Sequence, residues 1–419
     1  MLSRSRARRG VALLAGLCLA GLAVLPGTAA ADSIRVNQQA DSIRVNQQWV
    51  LDMLNVPAVW PVTEGAGVTV GVIDSGVNPD VSDLTGSVIT GPDYTGVATL
   101  PSSPEWGVHG TWMASLIVGH GHDGGGSGVI GIAPQARILS VRVIPDRDDP
   151  DYSKYEHEQE TSIQQSLANG INYAVAHGVQ VISMSIGYSA PSGPVRAALT
   201  RAYDHGVVVV ASAGNSGDQA GSSRNGQAPE SFPADYPGVI SVGAVKSTGV
   251  VAGFSSNNLS VQVAAPGVSV PAQGRDGQYW WVSGTSPACA LVAGVAALIK
   301  SKYPDLAPDL IATALTSTTT DRPPGGYDSQ LGFGVVDAAA ALAKAGKLAR
   351  GRPAATGIAA AAKFRGTLPP EPVGPRGPAQ LVLFGFVALA CLVLIALAGG
   401  RLAVLRRARH AERRTFDYY

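Results

Sequence analysis

Four short stretches of the sequence carry residues whose types and order can do acyl-transfer chemistry. "VIDSGV" ends an apolar run on Asp74, "WGVHGTWMAS" places His109 before a helical run, "ASAGN" ends on Asn215, and "SGTSPA" sets Ser286 at the mouth of a long apolar segment. A histidine takes the proton of a serine hydroxyl, an aspartate holds the imidazole and stabilises its cation, and the serine attacks a carbonyl. An asparagine amide is a suitable donor to the oxyanion that forms. Taken singly, each residue has a plainer reading. Asp74 before Ser-Gly reads as a turn, Ser286 as an ordinary helix cap, and His109 as structural.

Other chemistries fit less well. Asp-Ser-Gly is half of an aspartic-protease dyad, which needs a second carboxylate sharing the proton, and no second Asp-Ser/Thr-Gly occurs. His120 and His122 lie close together but lack a third ligand at useful spacing. Neither a metal nor a cofactor is therefore expected. Pro287 follows Ser286 directly, so the N–H that α/β-hydrolases take from the residue after the nucleophile is absent, and there is no Gly-x-Ser-x-Gly. A hole built from the N–H of Ser286 itself and the Asn215 amide survives this. Cys289, three residues after Ser286 in the apolar helix, reads as a small core residue.

These residues need a scaffold that collects them, and the alternation of segments supplies one. Apolar strands are expected at 67–74, 136–144, 179–187, 207–215, 238–245 and 260–267, with helices over 162–178, 194–205 and from Ser286 onward. Val- and Ile-rich strands joined by helical crossovers imply an α/β fold, a parallel sheet covered on both faces. In such sheets the working residues gather beyond the carboxyl ends of the strands, where Asp74 and Asn215 stand.

The stretches "VIDSGV", "HGTWMAS", "SAGN" and "SGTSPA", in this order, resemble the four signatures of subtilisin-like serine proteases over roughly residues 50–346. The resemblance implies a subtilisin-like three-layer fold, Asp74, His109 and Ser286 as the catalytic triad, and Asn215 as the oxyanion donor. It also implies that Met184–Gly187, and within it Ser185, Ile186 and Gly187, forms an edge along which substrate adds as a strand. Tyr188 stands where many relatives carry a small residue lining the specificity pocket. Where the family usually has Gly-Thr-Ser-x-Ala-x-Pro, this chain has Ala290 in the last position.

The chain ends carry addressing signals. Arg4, Arg6, Arg8 and Arg9, the apolar run 11–25 and the small residues up to Ala31 have the order of a secretory signal peptide over 1–31. Residues 379–400 are uncharged and long enough to span a bilayer, and six arginines follow in the tail 401–419, which the positive-inside rule leaves in the cytoplasm. Between these ends the chain divides into an extension, 32–48, a peptidase domain, 49–347, and a Pro/Gly/Ala-rich tether, 348–378. The extension is part of an identical duplication, "ADSIRVNQQ" at 31–39 and 40–48. The whole order resembles the mycosins, the membrane-anchored proteases of type VII secretion systems.

That resemblance implies a single-pass membrane protein with an extracytoplasmic catalytic domain, protein or peptide substrates, and a type VII secretion complex as partner. A second expectation is a structural component of such a complex whose protease activity is dispensable. The net charge of +1 in 419 residues gives no reason to expect a nucleic-acid partner. Last, the loop 145–160 carries seven acidic residues. It reads either as a solvated insertion or as a flap overhanging the substrate groove.

Overall fold

Valine- and isoleucine-rich strands with side chains alternating between two faces build the centre of the molecule. The computed structural model describes residues 32–36, 40–122, 126–157, 160–218 and 227–351. The chain opens with strand β1 (Asp32–Val36), helix α1 (Ala40–Met53), β2 (Thr69–Asp74), β3 (Val88–Asp93) and α2 (Val108–Val118). There follow β4 (His120–His122), β5 (Ser127–Ile130), β6 (Arg137–Arg142), α3 (Tyr152–His157), α4 (Glu160–Ala176), β7 (Val181–Met184) and α5 (Gly193–Asp204). The remainder comprises β8 (Val208–Ser212), β9 (Val239–Val245), β10 (Val261–Pro266), β11 (Val270–Gln273), β12 (Tyr279–Ser283), α6 (Thr285–Lys302), α7 (Pro308–Ser317) and α8 (Ala338–Arg350).

Seven strands form one sheet in the order β10-β9-β8-β7-β2-β6-β3, with every neighbouring pair parallel. Strand alternation sorts the core into two halves. Val70, Val72, Val208 and Val210 pack with residues of α2 and α6 on one face. Ile73, Ile182, Val209 and Ala211 pack with Leu167, Ile171, Ala198 and Leu199 of α4 and α5 on the other. The result is the expected α/β architecture, helices on both sides of a parallel sheet. Helix α6 is buried from Thr285 to Lys300, which explains why its sequence has no polar face.

A smaller antiparallel sheet, β1-β12-β11, carries the strand that leads into Ser286. The duplicated nonapeptide splits in form here, the first copy supplying β1 and the second opening α1. Helix α1 runs across residues 48 and 49, and α8 continues to Arg350, three residues into the stretch read as a tether. Among the described residues no helix is long and apolar enough to cross a membrane. The expected leader 1–31, the span 379–400 and the tail 401–419 lie outside the described residues.

The acidic loop after β6 departs from the solvated reading at two of its carboxylates. Asp146 and Asp149 are buried rather than solvated. Asp149 pairs with the Arg142 guanidinium at 2.8 Å, and Asp151 accepts from the Ala98 N–H at 3.0 Å. The cause is Arg142 itself, 1% exposed at the end of β6. A buried guanidinium needs carboxylates and carbonyls around it. It finds Asp93 at 2.6 Å, Thr95 Oγ1 at 3.2 Å and Ser75 O at 3.1 Å as well as Asp149. Asp148 does face solvent.

Candidate active site

Asp74 is the last residue of β2, an inner strand of the sheet that lies between β7 and β6. His109 is the second residue of α2 and Ser286 the second of α6, so both sit in the first turn of a helix that packs on that face. The Asp74 and His109 motifs interlock through backbone. Gly110 N donates to Ser75 Oγ at 3.1 Å. Any side chain on Gly110 would run into the Gly76 carbonyl oxygen. This close approach explains the glycine after the histidine, whereas Gly76 is required by its own φ of 101° and by the Trp106 ring, which a Cβ there would meet at 2.7 Å.

His109 Nδ1 and Asp74 Oδ1 lie 2.7 Å apart, and the Ser75 N–H donates to the same oxygen at 2.7 Å. The other oxygen, Asp74 Oδ2, is buried with no hydrogen-bond partner among the described residues. Burial works against the imidazolium of His109. The charge and hydrogen bond of Asp74, with the charge of Asp146, outweigh it and raise the pKa above the ordinary histidine value. Trp112 stands edge-on to the imidazole, 6.3 Å between ring centres, and Trp280 lies 5.6 Å beyond it.

Ser286 is 6% exposed. Its Oγ donates to Ser185 O at 3.5 Å, while Ser185 Oγ donates to Ser286 O at 3.2 Å. Among the described residues no hydrogen bond joins Ser286 to His109, a common state of catalytic pairs without substrate. Pro287 falls in the first turn of α6, where a missing N–H costs nothing. Asn215 is tied to the same turn. Its Oδ1 accepts from both the N–H and the Oγ1 of Thr285, each at 2.8 Å, which leaves the amide nitrogen as the end that can donate. Thr285 Oγ1 also accepts from Gly214 N at 3.2 Å.

Ser185, Ile186 and Gly187 leave the sheet directly after β7. Gly187 and Gly214 both face Ser231, whose Oγ would lie 2.6 Å from a Cβ on Gly187 and 3.2 Å from one on Gly214. The Tyr188 ring does not line an open wall. It is 9% exposed and packs 6.0 Å from the Phe232 ring, with backbone bonds to Phe232 in both directions at 2.8 Å.

The remaining candidates serve structure. Cys289 is fully buried against Met184 O and Ser183 Oγ, and burial pushes its thiol up to about 12. His122 Nδ1 lies 2.7 Å from buried Asp83, and His120 reaches the carbonyls of Gly121 and Thr85 at 2.7 and 3.0 Å. Four residues that bond to these elements were not singled out from the sequence: Ser75, Asp146, Arg142 and Thr285. Ser75 and Thr285 lie inside the motifs and had a signal, their adjacency to Asp74 and Ser286. Asp146 and Arg142 had none.

This fold and this site belong to one class of protein. The subtilase family, Peptidase S8, matches residues 65–334, and the chain is a member of it, a subtilisin-like serine peptidase. Subtilisin DY of Bacillus licheniformis is 35% identical over 258 residues, 62% of this chain and 85% of the relative. The chain spans a smaller share, 61%, of subtilisin E of Bacillus subtilis (strain 168), at the same 35% identity over 256 residues and 61% of this chain. Among solved structures, MycP1 from Mycobacterium smegmatis superposes with a TM-score of 0.58 at 32% identity, covering 70% of this chain and 84% of that one.

Proposed function

We propose that the chain is a membrane-anchored serine endopeptidase of the extracytoplasmic face, associated with type VII secretion, that processes exported proteins through Asp74, His109 and Ser286. The catalytic part is carried by the 2.7 Å contact between His109 Nδ1 and Asp74 Oδ1. It holds the imidazole so that Nε2 is the nitrogen left to take the Ser286 proton. The Ser286 oxygen then attacks the substrate carbonyl, and the developing oxyanion meets the Asn215 amide and the backbone N–H of Ser286. His109 returns the proton to the leaving amine, and water repeats the sequence on the acyl-enzyme. Substrate lies as an added strand along Ser185, Ile186 and Gly187. The secretion role is supported by likeness to MycP1 of the ESX-1 type VII secretion system, at 32% identity and a TM-score of 0.58, and to the MycP3 protease of the ESX-3 system, at 31% and 0.59. The anchor is supported by the apolar stretch 379–400 and its trailing arginines.

Two experiments test this reading. A fluorophosphonate should label the full chain, while Ser286→Ala takes no label and lets exported substrates accumulate uncleaved. Undiminished labelling of that variant would overturn the assignment of the nucleophile. A protease added to wall-stripped cells should digest the catalytic domain and spare a tag placed after Tyr419. Removal of the tag would invert the topology.

A further inference from the structure

The first turn of α2 has an unusual cap. Gly107, at φ 74°, precedes the helix and offers no side chain to its N–H groups. Two of them instead meet one carboxylate from a distant loop: Val108 N donates to Asp146 Oδ2 at 2.8 Å and His109 N to Asp146 Oδ1 at 2.9 Å. The loop that delivers Asp146 is pinned in turn, since Asp149 N donates to Asp146 O at 3.0 Å and the Asp149 carboxylate holds buried Arg142. We propose that Asp146 is a positioning residue for His109, whose carboxylate fixes the first turn of α2 and gives the imidazole a second negative charge beyond that of Asp74. This rests on the reading of His109 as the general base.

The electrostatics agree with the geometry. Burial drives the Asp146 carboxyl up to about 6, against the pull of the His109 N–H, the His109 charge and the Val108 N–H. The charged groups in play around it are His109 on α2, Asp74 at the end of β2 and Arg275 between β11 and β12, which also interacts with Glu105. Asp146 is one of the two carboxylates that raise His109. Removing its charge therefore destabilises the imidazolium and lowers the His109 pKa. In the wild type the two groups titrate as a coupled pair: as Asp146 takes up its proton the pull on the His109 proton weakens, so the acidic limb of activity is shallower than a single independent proton would make it.

The test is the second-order rate of fluorophosphonate labelling of the full chain from pH 5 to 9, for wild type, Asp146→Asn, Asp146→Ala and His109→Ala. In Asp146→Asn the acidic limb should move to lower pH by roughly half a unit to one unit and sharpen to single-proton slope. In Asp146→Ala the limb should move likewise, and the plateau should drop about tenfold as the cap is lost. An Asp146→Asn limb that superimposes on the wild type overturns the proposal, whatever its plateau. If Asp146→Ala fails to fold by circular dichroism, the asparagine profile still decides. Wild-type labelling by His109→Ala is a separate failure, of the general-base reading itself.

Discussion

Residues 31–39 and 40–48 have the same nine-residue sequence, yet the first copy supplies strand β1 and the second opens helix α1. The strand pairs antiparallel with β12 through backbone, Ile34 opposite Trp281 and Val36 opposite Tyr279. The helix buries Ile43 and Gln47, and its continuation buries Val50 and Leu51, so one face at helical spacing is covered. Nine residues are too few to hold a helix in water. The second copy is followed by "WVLDM", which lengthens it to 14 residues and extends the apolar face. The first copy is followed by the polar start of the second, and its Ile-Arg-Val alternation suits the free edge of β12. Identical local propensity is thus overridden by what lies next in the chain and which partner is within reach.

The same residue does different work in the two copies, and substitutions can sharpen the contrast. The largest effect is expected at Ile43, fully buried with Val129 and Tyr279. Ile43→Ala should destabilise the protein by about 2–5 kcal/mol in a denaturant melt. Arg44 comes next. It donates to Gly128 O at 2.9 Å and Ser127 O at 3.1 Å, tying α1 to β5. Burial lowers its pKa, and the charge of Asp83 opposes that shift. Arg44→Ala should cost about 1.5–3 kcal/mol, as for hydrogen bonds to a charged group. Its counterpart Arg35 is 60% exposed and only 3.9 Å from Asp276, itself 42% exposed. Arg35→Ala should change stability by about 0–1 kcal/mol. Equal losses at Arg35 and Arg44 would show that the two copies are not distinguished by burial, and would break the comparison.

A parallel contrast runs through the site. Asp74, His109, Asn215 and Ser286 stood out because each sits in a short motif whose neighbours serve the same task. Gly110 permits a close approach to the Gly76 carbonyl, Thr285 holds Asn215, and Pro287 is tolerated only in a first helical turn. The parallel sheet was readable for a similar reason, since strands buried on both faces must be apolar throughout. Such information is local, written within a few residues, and the chain alone determined it.

The acidic loop shows what was not local. Seven carboxylates in a row of sixteen residues look solvated, because nothing nearby in sequence says that Arg142 is buried or that α2 begins without a capping side chain. Asp149 turns inward to meet Arg142, and Asp146 turns inward to meet the Val108 and His109 N–H groups across 38 and 37 residues of chain. The duplicated nonapeptide makes the same point in its purest form, one sequence and two structures. Motif and strand pattern by themselves pointed to the fold class and to the four candidate site residues. Only the tertiary structure decided which carboxylates face inward and which copy becomes a helix, because burial and partner geometry are properties of the packed chain and of no single segment.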